Sequence, residues 1–306
     1  MTSKKAIITG ASGFVGSHLA GSLVGRGWTV HVILRTDSNL SLIAGILDRI
    51  TVHRHDGSME RLEEIVRKVT PDVVFHLASL FLAQHRQEDV EPLVQSNVLF
   101  GTQLLEAMVK CGVHRLVNTG TSWQHYENHD YSPVNLYAAT KQAFEDILRY
   151  YVEATPLQAI SLKLFDTYGP GDPRPKLFTL LRRVAEQGEQ LEMSPGEQLV
   201  DLVYIDDIVD AFLLAAKRLL VDAIPCHEPY AVSSGAPVKL RELVEIYGRV
   251  IGRTLPIRWG GRPYRPREVM VPWDTGSPIP GWRPRIGLEE GIGRMESFYA
   301  KQVVQH

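Results

Sequence analysis

Short apolar segments alternate with longer amphipathic ones along the first half of the chain. Six segments of four to six residues are rich in Val, Ile, Leu or Phe, which is typical of strands buried on both faces. These predicted strands are residues 6–9, 29–34, 51–55, 73–77, 115–118 and 159–164. Helical patterns lie between them at residues 13–26, 59–69, 90–111 and 134–155. The alternation predicts an α/β fold with a doubly wound parallel sheet.

The second half of the chain has a different pattern. Proline and glycine are concentrated at residues 169–175, 195–196 and 259–284. Short helices are predicted between them, at residues 177–187, 205–220 and 240–251. We therefore expect a first domain at residues 1–167, to which some later segments return. Residues 168–306 should form a smaller, interleaved α/β domain that binds the substrate.

Composition excludes several classes of protein. The 306 residues are 44% hydrophobic and 22% charged, values that exclude intrinsic disorder. Lys and Arg number 33 against 35 Asp and Glu, and no basic block stands out, so we expect no nucleic-acid or membrane partner. No apolar segment approaches the roughly 20 residues of a membrane helix. The charged N-terminus precedes only a short apolar segment, which predicts a first strand rather than a signal peptide.

Two cysteines, Cys111 and Cys226, form no CxxC pair, so we expect a reducing, cytoplasmic location. Two histidine pairs, His53 with His55 and His125 with His129, have spacings that could suggest a metal site. Neither pair has a nearby Cys or Glu cluster, and we expect no metal.

A glycine-rich segment follows the first predicted strand and opens the first predicted helix. Gly10, Gly13 and Gly16 permit a tight turn, the approach of a pyrophosphate to the backbone, and close packing of helix on strand. The helix N-terminus adds free N–H groups and the positive end of its dipole, both of which favour phosphate. The segment therefore predicts a dinucleotide site in a Rossmann fold.

Arg35 ends the second predicted strand, where NAD-binding proteins usually place Asp or Glu for the ribose hydroxyl. A guanidinium group can pair with a 2′-phosphate, and Thr36 and Ser38 could add hydroxyl donors. We therefore expect NADP(H) as the cofactor. Asp37, two residues farther on, leaves NAD(H) as the alternative.

Tyr137 and Lys141 are four residues apart near the start of a predicted helix, so they share one face. An ammonium group stabilises a phenolate, and we expect Lys141 to lower the pKa of Tyr137 so that it can exchange a proton with an alcohol. A hydroxyl group at the end of the fifth strand should bind the reacting oxygen. Counting from the strand favours Thr121, which we prefer; counting back from Tyr126 favours Ser122.

Together these features resemble the extended short-chain dehydrogenase/reductase family, which includes nucleotide-sugar epimerases, dehydratases and reductases. The family pattern contains GxxGxxG, a hydroxyl residue and YxxxK. Residues 56–58, 76–79, 97–106, 164–170, 201–207 and 281–291 resemble further family motifs, so the similarity spans nearly the whole chain. Residues 120–126 and 133–146 are most similar to the CDP-abequose synthase group, which reduces the 4-keto group of a CDP-activated deoxyhexose with NADPH.

The resemblance implies a role for individual residues. The implied catalytic residues are Thr121, Tyr137 and Lys141. The implied cofactor site comprises Gly10, Ser12, Gly13, Phe14, Val15, Gly16, Arg35, Asp56, Gly57, Leu77, Ala78, Asn97, Tyr137, Lys141 and Leu164. The implied substrate site comprises Ser79, Ser122, Trp123, His125, Asp166, Arg265 and Arg267.

The chain departs from the family pattern at several positions. Asp166 replaces a usual Asn, and Val200 replaces an Arg that often contacts the diphosphate, which leaves that role to Arg265 or Arg267. Dehydratases of the family carry an acid pair where this chain has Ser122 and Trp123. Without a carboxylate there to remove a C5 proton or protonate a leaving hydroxyl, 4,6-dehydration is disfavoured.

The expected function is therefore NADPH-dependent reduction of the 4-keto group of a CDP- or dTDP-linked 4-keto-6-deoxyhexose in deoxysugar biosynthesis. One alternative is a nucleotide-sugar epimerase with tightly bound NAD, and another is a non-catalytic NADP-sensing protein. The helices predicted at residues 90–111 and 134–155 pair two subunits in relatives, so we expect a homodimer.

Overall fold

A seven-stranded parallel sheet forms the centre of the protein. The computed structural model describes residues 3–221, 224 and 227–303, so Cys226 lies outside the described residues. The strands are β1 (Lys5–Thr9), β2 (Thr29–Arg35), β3 (Ile50–His55), β4 (Val73–His76), β5 (Arg115–Thr121), β6 (Gln158–Leu164), β7 (Asp166–Tyr168), β8 (Leu191–Met193), β9 (Leu199–Val200), β10 (Leu202–Tyr204), β11 (His227–Val232), β12 (Val238–Lys239) and β13 (Ile257–Trp259). The large sheet has the order β11-β6-β5-β4-β1-β2-β3, which confirms the predicted doubly wound architecture.

Helices cover both faces of this sheet. They are α1 (Phe14–Gly25), α2 (Met59–Val69), α3 (Val90–Val94), α4 (Phe100–Lys110), α5 (Leu136–Ala154), α6 (Leu177–Gln187), α7 (Ile205–Val221), α8 (Leu240–Ile251) and α9 (Leu288–Val303). A π-helical turn at Gln95–Leu99 joins α3 to α4, where the sequence predicted one regular helix. Helix α9 and a 3₁₀ segment at Ser41–Arg49 were not predicted.

Two hydrophobic cores lie on opposite faces of the sheet. Ile8 belongs to the core beneath α1 and α7, whereas its neighbour Ile7 belongs to the core beneath α2, α4 and α5. Burial on both faces explains why the strands read as continuous apolar segments rather than alternating ones.

The second half forms three small sheets and also returns to the large one. Strand β7 pairs with β10, β9 with β12 and β8 with β13. Strand β11 lies beside β6 at the edge of the large sheet. None of the helices in the described part of the chain combines the length and the apolar character needed to cross a bilayer.

The carboxyl ends of the parallel strands meet at one edge of the large sheet. Thr9 pairs with His76 and Thr121 with Leu164 at this edge, so the segments that follow these strands are neighbours. Ligands of doubly wound proteins bind at such an edge, which makes it the place to look for a functional site.

Gly101 on α4 lies against the buried ring of Phe144 on α5, and a Cβ atom at Gly101 would overlap that ring. We predict that Gly101→Ala lowers the free energy of unfolding by about 1–3 kcal/mol, because overpacking displaces the ring or the helix. Gly21→Ala on α1 is the control, since a Cβ there meets no atom within 4 Å. The control should be neutral or stabilising in urea unfolding, and unchanged stability of Gly101→Ala would contradict the packing argument.

Candidate active site

The turn between β1 and α1 packs tightly against the segment that follows β4. Gly10 has a φ of 74°, and a Cβ atom there would lie 2.6 Å from the backbone nitrogen of Ala78. A Cβ atom at Gly16 would overlap the carbonyl of Gly10. Only glycine fits these positions, and it leaves the backbone open to a phosphate.

Helix α1 presents an uncapped N-terminus beside this turn. Within the described residues, no side chain caps the helix at Gly13, and its first turn carries no acidic residue. Ser12 precedes the helix, and Phe14 and Val15 open it. The positive end of the dipole and the first N–H groups are therefore suited to an anion, and a dinucleotide pyrophosphate fits this site.

Arg35 lies at the carboxyl end of β2 with 78% of its side chain exposed. Its Nε atom is 3.4 Å from Oδ1 of Asp37, so the two candidate determinants of the cofactor form one exposed ion pair. Arg54 was not identified from the sequence; it is the penultimate residue of the neighbouring strand β3, and its Nη1 donates to the Arg35 carbonyl at 2.6 Å. The guanidinium groups of Arg35 and Arg54 therefore both lie near the carboxyl ends of β2 and β3.

Asp56 and Gly57 form the turn that leads into α2. Oδ1 of Asp56 accepts hydrogen bonds from the Ser58 backbone at 2.9 Å and its hydroxyl at 2.6 Å. These bonds hold the pKa of Asp56 below its usual value. Gly57 has a φ of 95°, which fits the turn.

Asn97 is buried in the π-helical turn and binds protein groups with its whole amide. Its Oδ1 accepts from the Ser79 hydroxyl at 3.1 Å and the Leu80 backbone at 2.7 Å. Its Nδ2 donates to the Leu80 carbonyl at 3.0 Å and to Oγ1 of Thr140 at 2.9 Å. The implied cofactor residue thus joins the segment after β4, which begins with Leu77 and Ala78, to helix α5.

Tyr137 and Lys141 lie on the first turns of α5, which Asn135 caps by accepting from the Ala138 backbone at 2.9 Å. Lys141 is only 2% exposed, and burial lowers its pKa to about 8. Burial also raises the pKa of Tyr137 to about 12, although a hydrogen bond with Ser79 and the charge of Arg174 act in the opposite direction. The expectation that Lys141 brings the pKa of Tyr137 towards neutrality is therefore wrong here, because desolvation of the phenol dominates.

The two candidate hydroxyl groups have different surroundings. Oγ1 of Thr121 caps the 3₁₀ turn Ser122–Gln124 by accepting from the Trp123 backbone at 3.3 Å. Ser122 lies at the start of that turn and lines a cavity. The cap uses only an acceptor position of the Thr121 hydroxyl, so both hydroxyl groups can still donate a hydrogen bond. Ser122 lines the cavity, whereas Thr121 is in the lining of neither cavity described below.

Two adjoining cavities of about 320 and 380 Å³ open beside these residues. They share Ala83, Trp123, Asp166, Gln198, Val200, Arg265 and Glu268 in their linings. Six of the seven predicted substrate residues line this cleft, namely Ser122, Trp123, His125, Asp166, Arg265 and Arg267. The seventh, Ser79, contacts Tyr137 instead.

Charged side chains in the cleft are paired. Lys176 lies 3.4 Å from Asp166, and Arg265 binds Glu268 through both Nε and Nη2 at 3.0 and 2.9 Å. Arg267 lies over the ring of Tyr126, 4.2 Å from its centroid. The arginines predicted for the diphosphate are thus held in place at the cleft by neighbouring side chains.

A buried polar network lies behind the cleft and was not identified from the sequence. Nζ of Lys163 is 2.7 Å from Nε2 of His125 and 3.4 Å from Oε2 of Glu145. The His125 ring stacks on Trp273 at 4.0 Å between centroids. Burial and the charge of Lys163 keep the pKa of His125 below its usual value. The signal for this network was a lysine within a strand predicted to be buried on both faces.

A family model described as the NAD dependent epimerase/dehydratase family matches residues 6–225. The chain belongs to this family. It is 26% identical to CDP-abequose synthase from Salmonella muenchen, over 96% of this chain and 98% of that protein. It is 25% identical to a probable UDP-glucuronate 4-epimerase from Rhizobium meliloti, over 96% of each chain. The solved UDP-glucose 4-epimerase of Thermus thermophilus, in complex with NAD, matches at a TM-score of 0.80 and 26% identity, covering 97% of this chain and 99% of that one.

Membership of the epimerase/dehydratase family confirms an oxidoreductase of the extended short-chain dehydrogenase/reductase type, as the motifs predicted. The glycine turn, the uncapped helix and the Tyr137–Lys141 face meet at the same edge of the sheet, where the family's chemistry requires a dinucleotide.

The buried charge of Lys141 should lower the stability of this family member. At pH 7 the ammonium group is protonated but poorly solvated, so we predict that Lys141→Met raises the free energy of unfolding by about 2 kcal/mol. Above pH 8 the native protein loses a proton that the unfolded chain keeps to about pH 10.4, so wild-type stability rises and the difference shrinks.

Urea unfolding of wild type and variant at pH 7 and pH 9.5 measures this difference. Lys110→Met is the matched control, because Lys110 is exposed and pairs with Glu63 on the surface. A Lys141→Met protein that is no more stable than wild type at pH 7, or whose advantage grows with pH, would contradict the argument.

Proposed function

We propose that the protein reduces the 4-keto group of a CDP- or dTDP-linked 4-keto-6-deoxyhexose with NADPH. The observation that carries the proposal is the side chain after the catalytic hydroxyl group. Dehydratases need an acid pair there, whereas this chain places Trp123 in the cleft, 5.7 Å from the ring of Phe81. Such a surface suits carbonyl reduction, and it has no carboxylate at the position of the dehydratase acid pair. The similarity to CDP-abequose synthase over nearly the whole chain supports this choice.

The protonation state of Tyr137 also supports reduction. A tyrosine phenol is neutral at pH 7 at its usual pKa, and burial raises the pKa of Tyr137 further, to about 12. Reduction of a ketone requires a proton donor at the C4 oxygen. Bound NADPH would supply the hydride. Tyr137 donates the proton to the forming alkoxide, and its phenolate recovers a proton from solvent beside the Lys141 ammonium group. The Ser122 hydroxyl, which faces the cleft, holds the carbonyl oxygen.

Two arginines support the choice of ligands. Arg35 lies at the carboxyl end of β2 and pairs with Asp37, and its guanidinium group would exchange this carboxylate for the 2′-phosphate of NADPH. Arg265 lies in both cavities beside Val200, where the family's usual arginine is missing, and is therefore the candidate ligand of the sugar diphosphate. Residues 168–306 would hold the nucleotide and so position the sugar.

A homodimer is part of the same proposal. Val90, Val94 and Leu99 on the α3–α4 segment and Tyr150 on α5 are large apolar side chains that remain exposed. A second copy that covers these surfaces would remove them from water.

The second candidate is a nucleotide-sugar epimerase with tightly bound NAD. The similarity to UDP-sugar epimerases and the acidic Asp37 beside Arg35 favour it. Net consumption of coenzyme separates the two reactions, because an epimerase oxidises and re-reduces the same sugar.

We expect the purified protein to oxidise NADPH stoichiometrically with CDP- or dTDP-4-keto-6-deoxyglucose, and to prefer NADPH to NADH by at least about ten-fold, or ~1.4 kcal/mol. Arg35→Ala should abolish that preference, whereas Arg49→Ala, at an exposed arginine outside the site, should keep it. Nicotinamide absorbance measures the oxidation of each coenzyme, and NMR identifies and quantifies the sugar product. Interconversion of a nucleotide-linked glucose with its C4 epimer, without net loss of coenzyme, would identify an epimerase, and NADPH binding without any turnover a sensing protein.

The same assay distinguishes the two hydroxyl groups. Ser122→Ala should lower kcat by about 10²–10³, since it removes a donor to the reacting oxygen. Thr121→Val should lower the free energy of unfolding by about 1 kcal/mol, because the cap is lost. Its effect on kcat should be smaller than that of Ser122→Ala. The reverse pattern would return the catalytic role to Thr121.

A further inference from the structure

Phe81 is a large apolar side chain that lines the cleft and remains 41% exposed. The edge of its ring meets the ring of Tyr137, with centroids 5.0 Å apart, and its other neighbour is Trp123 at 5.7 Å. Trp123 directly follows Ser122. Phe81 and Trp123, which we call the aromatic wall, therefore bound the space beside the proposed proton donor and hydroxyl group.

The position of this wall is fixed by its surroundings. Leu80, which precedes Phe81, is held through both its backbone N–H and its carbonyl by the amide of Asn97. Nζ of Lys176 lies 5.3 Å from the centroid of the Phe81 ring, a cation–π contact. An aromatic side chain that is held in place yet exposed towards a cavity is typical of a ligand contact.

Chemistry limits what the wall can face. A carbonyl at C4 must reach the Tyr137 phenol, and the two ring carbons next to C4 carry the C3 substituent and C6. A hydroxyl group placed against two aromatic rings would lose hydrogen bonds to water without replacement. A methyl group placed there would instead gain from leaving water. The wall thus favours a substituent that carries no oxygen.

We propose that Phe81, together with Trp123, is the specificity determinant that selects a C6 methyl group over a C6 hydroxymethyl group. The inference rests on the proposed function and deepens it: it explains why a site built for nucleotide sugars would take 6-deoxyhexoses.

The test measures binding rather than turnover. NADPH-saturated protein is titrated calorimetrically with CDP-6-deoxyglucose, CDP-glucose and CDP-3-deoxyglucose, and with the dTDP-linked equivalents, so that no hydride acceptor is present. Wild type should bind the 6-deoxy ligand about ten- to hundred-fold more tightly than the glucose ligand. Phe81→Gln should bring this ratio close to one. Phe298→Ala is the matched control, since Phe298 is 37% exposed and lies outside the linings of both cavities.

Three results would overturn the inference: equal affinities of wild type for 6-deoxyglucose and glucose ligands, an unchanged ratio in Phe81→Gln, or a preference for the 3-deoxy ligand. Phe81→Tyr retains the ring and adds one hydroxyl group, so it tests the same ratio if Phe81→Gln does not fold. None of these ligands carries a ketone. A failure of NADPH turnover would therefore refute the proposed reductase alone, and a failure of the binding ratio the aromatic wall alone.

Discussion

The amide of Asn97 is the interaction on which the geometry of the site depends. It uses its two acceptor positions and its two N–H groups on the segment after β4 and on Thr140 of α5. Thr140 in turn donates to the Tyr137 carbonyl at 2.7 Å. Because the amide is buried, each missing bond would leave an unsatisfied polar group at a cost of about 1–3 kcal/mol. Phe81 and Tyr137, which come from distant parts of the chain, are therefore held in one arrangement.

Burial of the Lys141 ammonium group lowers the stability of the fold, but burial also sets the protonation states that the proposed reaction uses. Lys141 is buried with His76, whose pKa falls to about 3 through burial and the neighbouring charge of Lys141. His76 is therefore neutral at pH 7 and adds no second positive charge beside Lys141. Its Nδ1 lies 2.8 Å from Oγ1 of Thr9 at the end of β1. A neutral phenol at Tyr137 and an ammonium group with a pKa near neutrality at Lys141 are the states that the proposed proton donation requires.

The sequence predicts the large sheet well, because strands buried on both faces carry an unmistakable apolar pattern. The predicted β5 ends three residues too early, because Thr119, Gly120 and Thr121 are small or polar. In the structure these residues pair with β6 like the rest of the strand. The sequence also misses β11, in which His227, Glu228 and Pro229 interrupt the pattern. Motif spacing places Tyr137 and Lys141 together, but it carries no information on burial, and burial decides the direction of both pKa shifts.

The cleft shows why a missing motif residue is a weak argument against a function. Val200 occupies the position of an expected arginine, yet Val200 and Arg265 line the same two cavities, although they are far apart in the sequence. The binding of an anionic ligand depends on where the positive charge lies in the folded protein, and any segment of the chain can provide that charge. Two hydrogen bonds to Glu268 hold Arg265, so the guanidinium group is already in position and loses little conformational freedom when a ligand binds. The same reasoning applies to Phe81: the role proposed for it follows from its place beside Tyr137, which only the folded chain reveals.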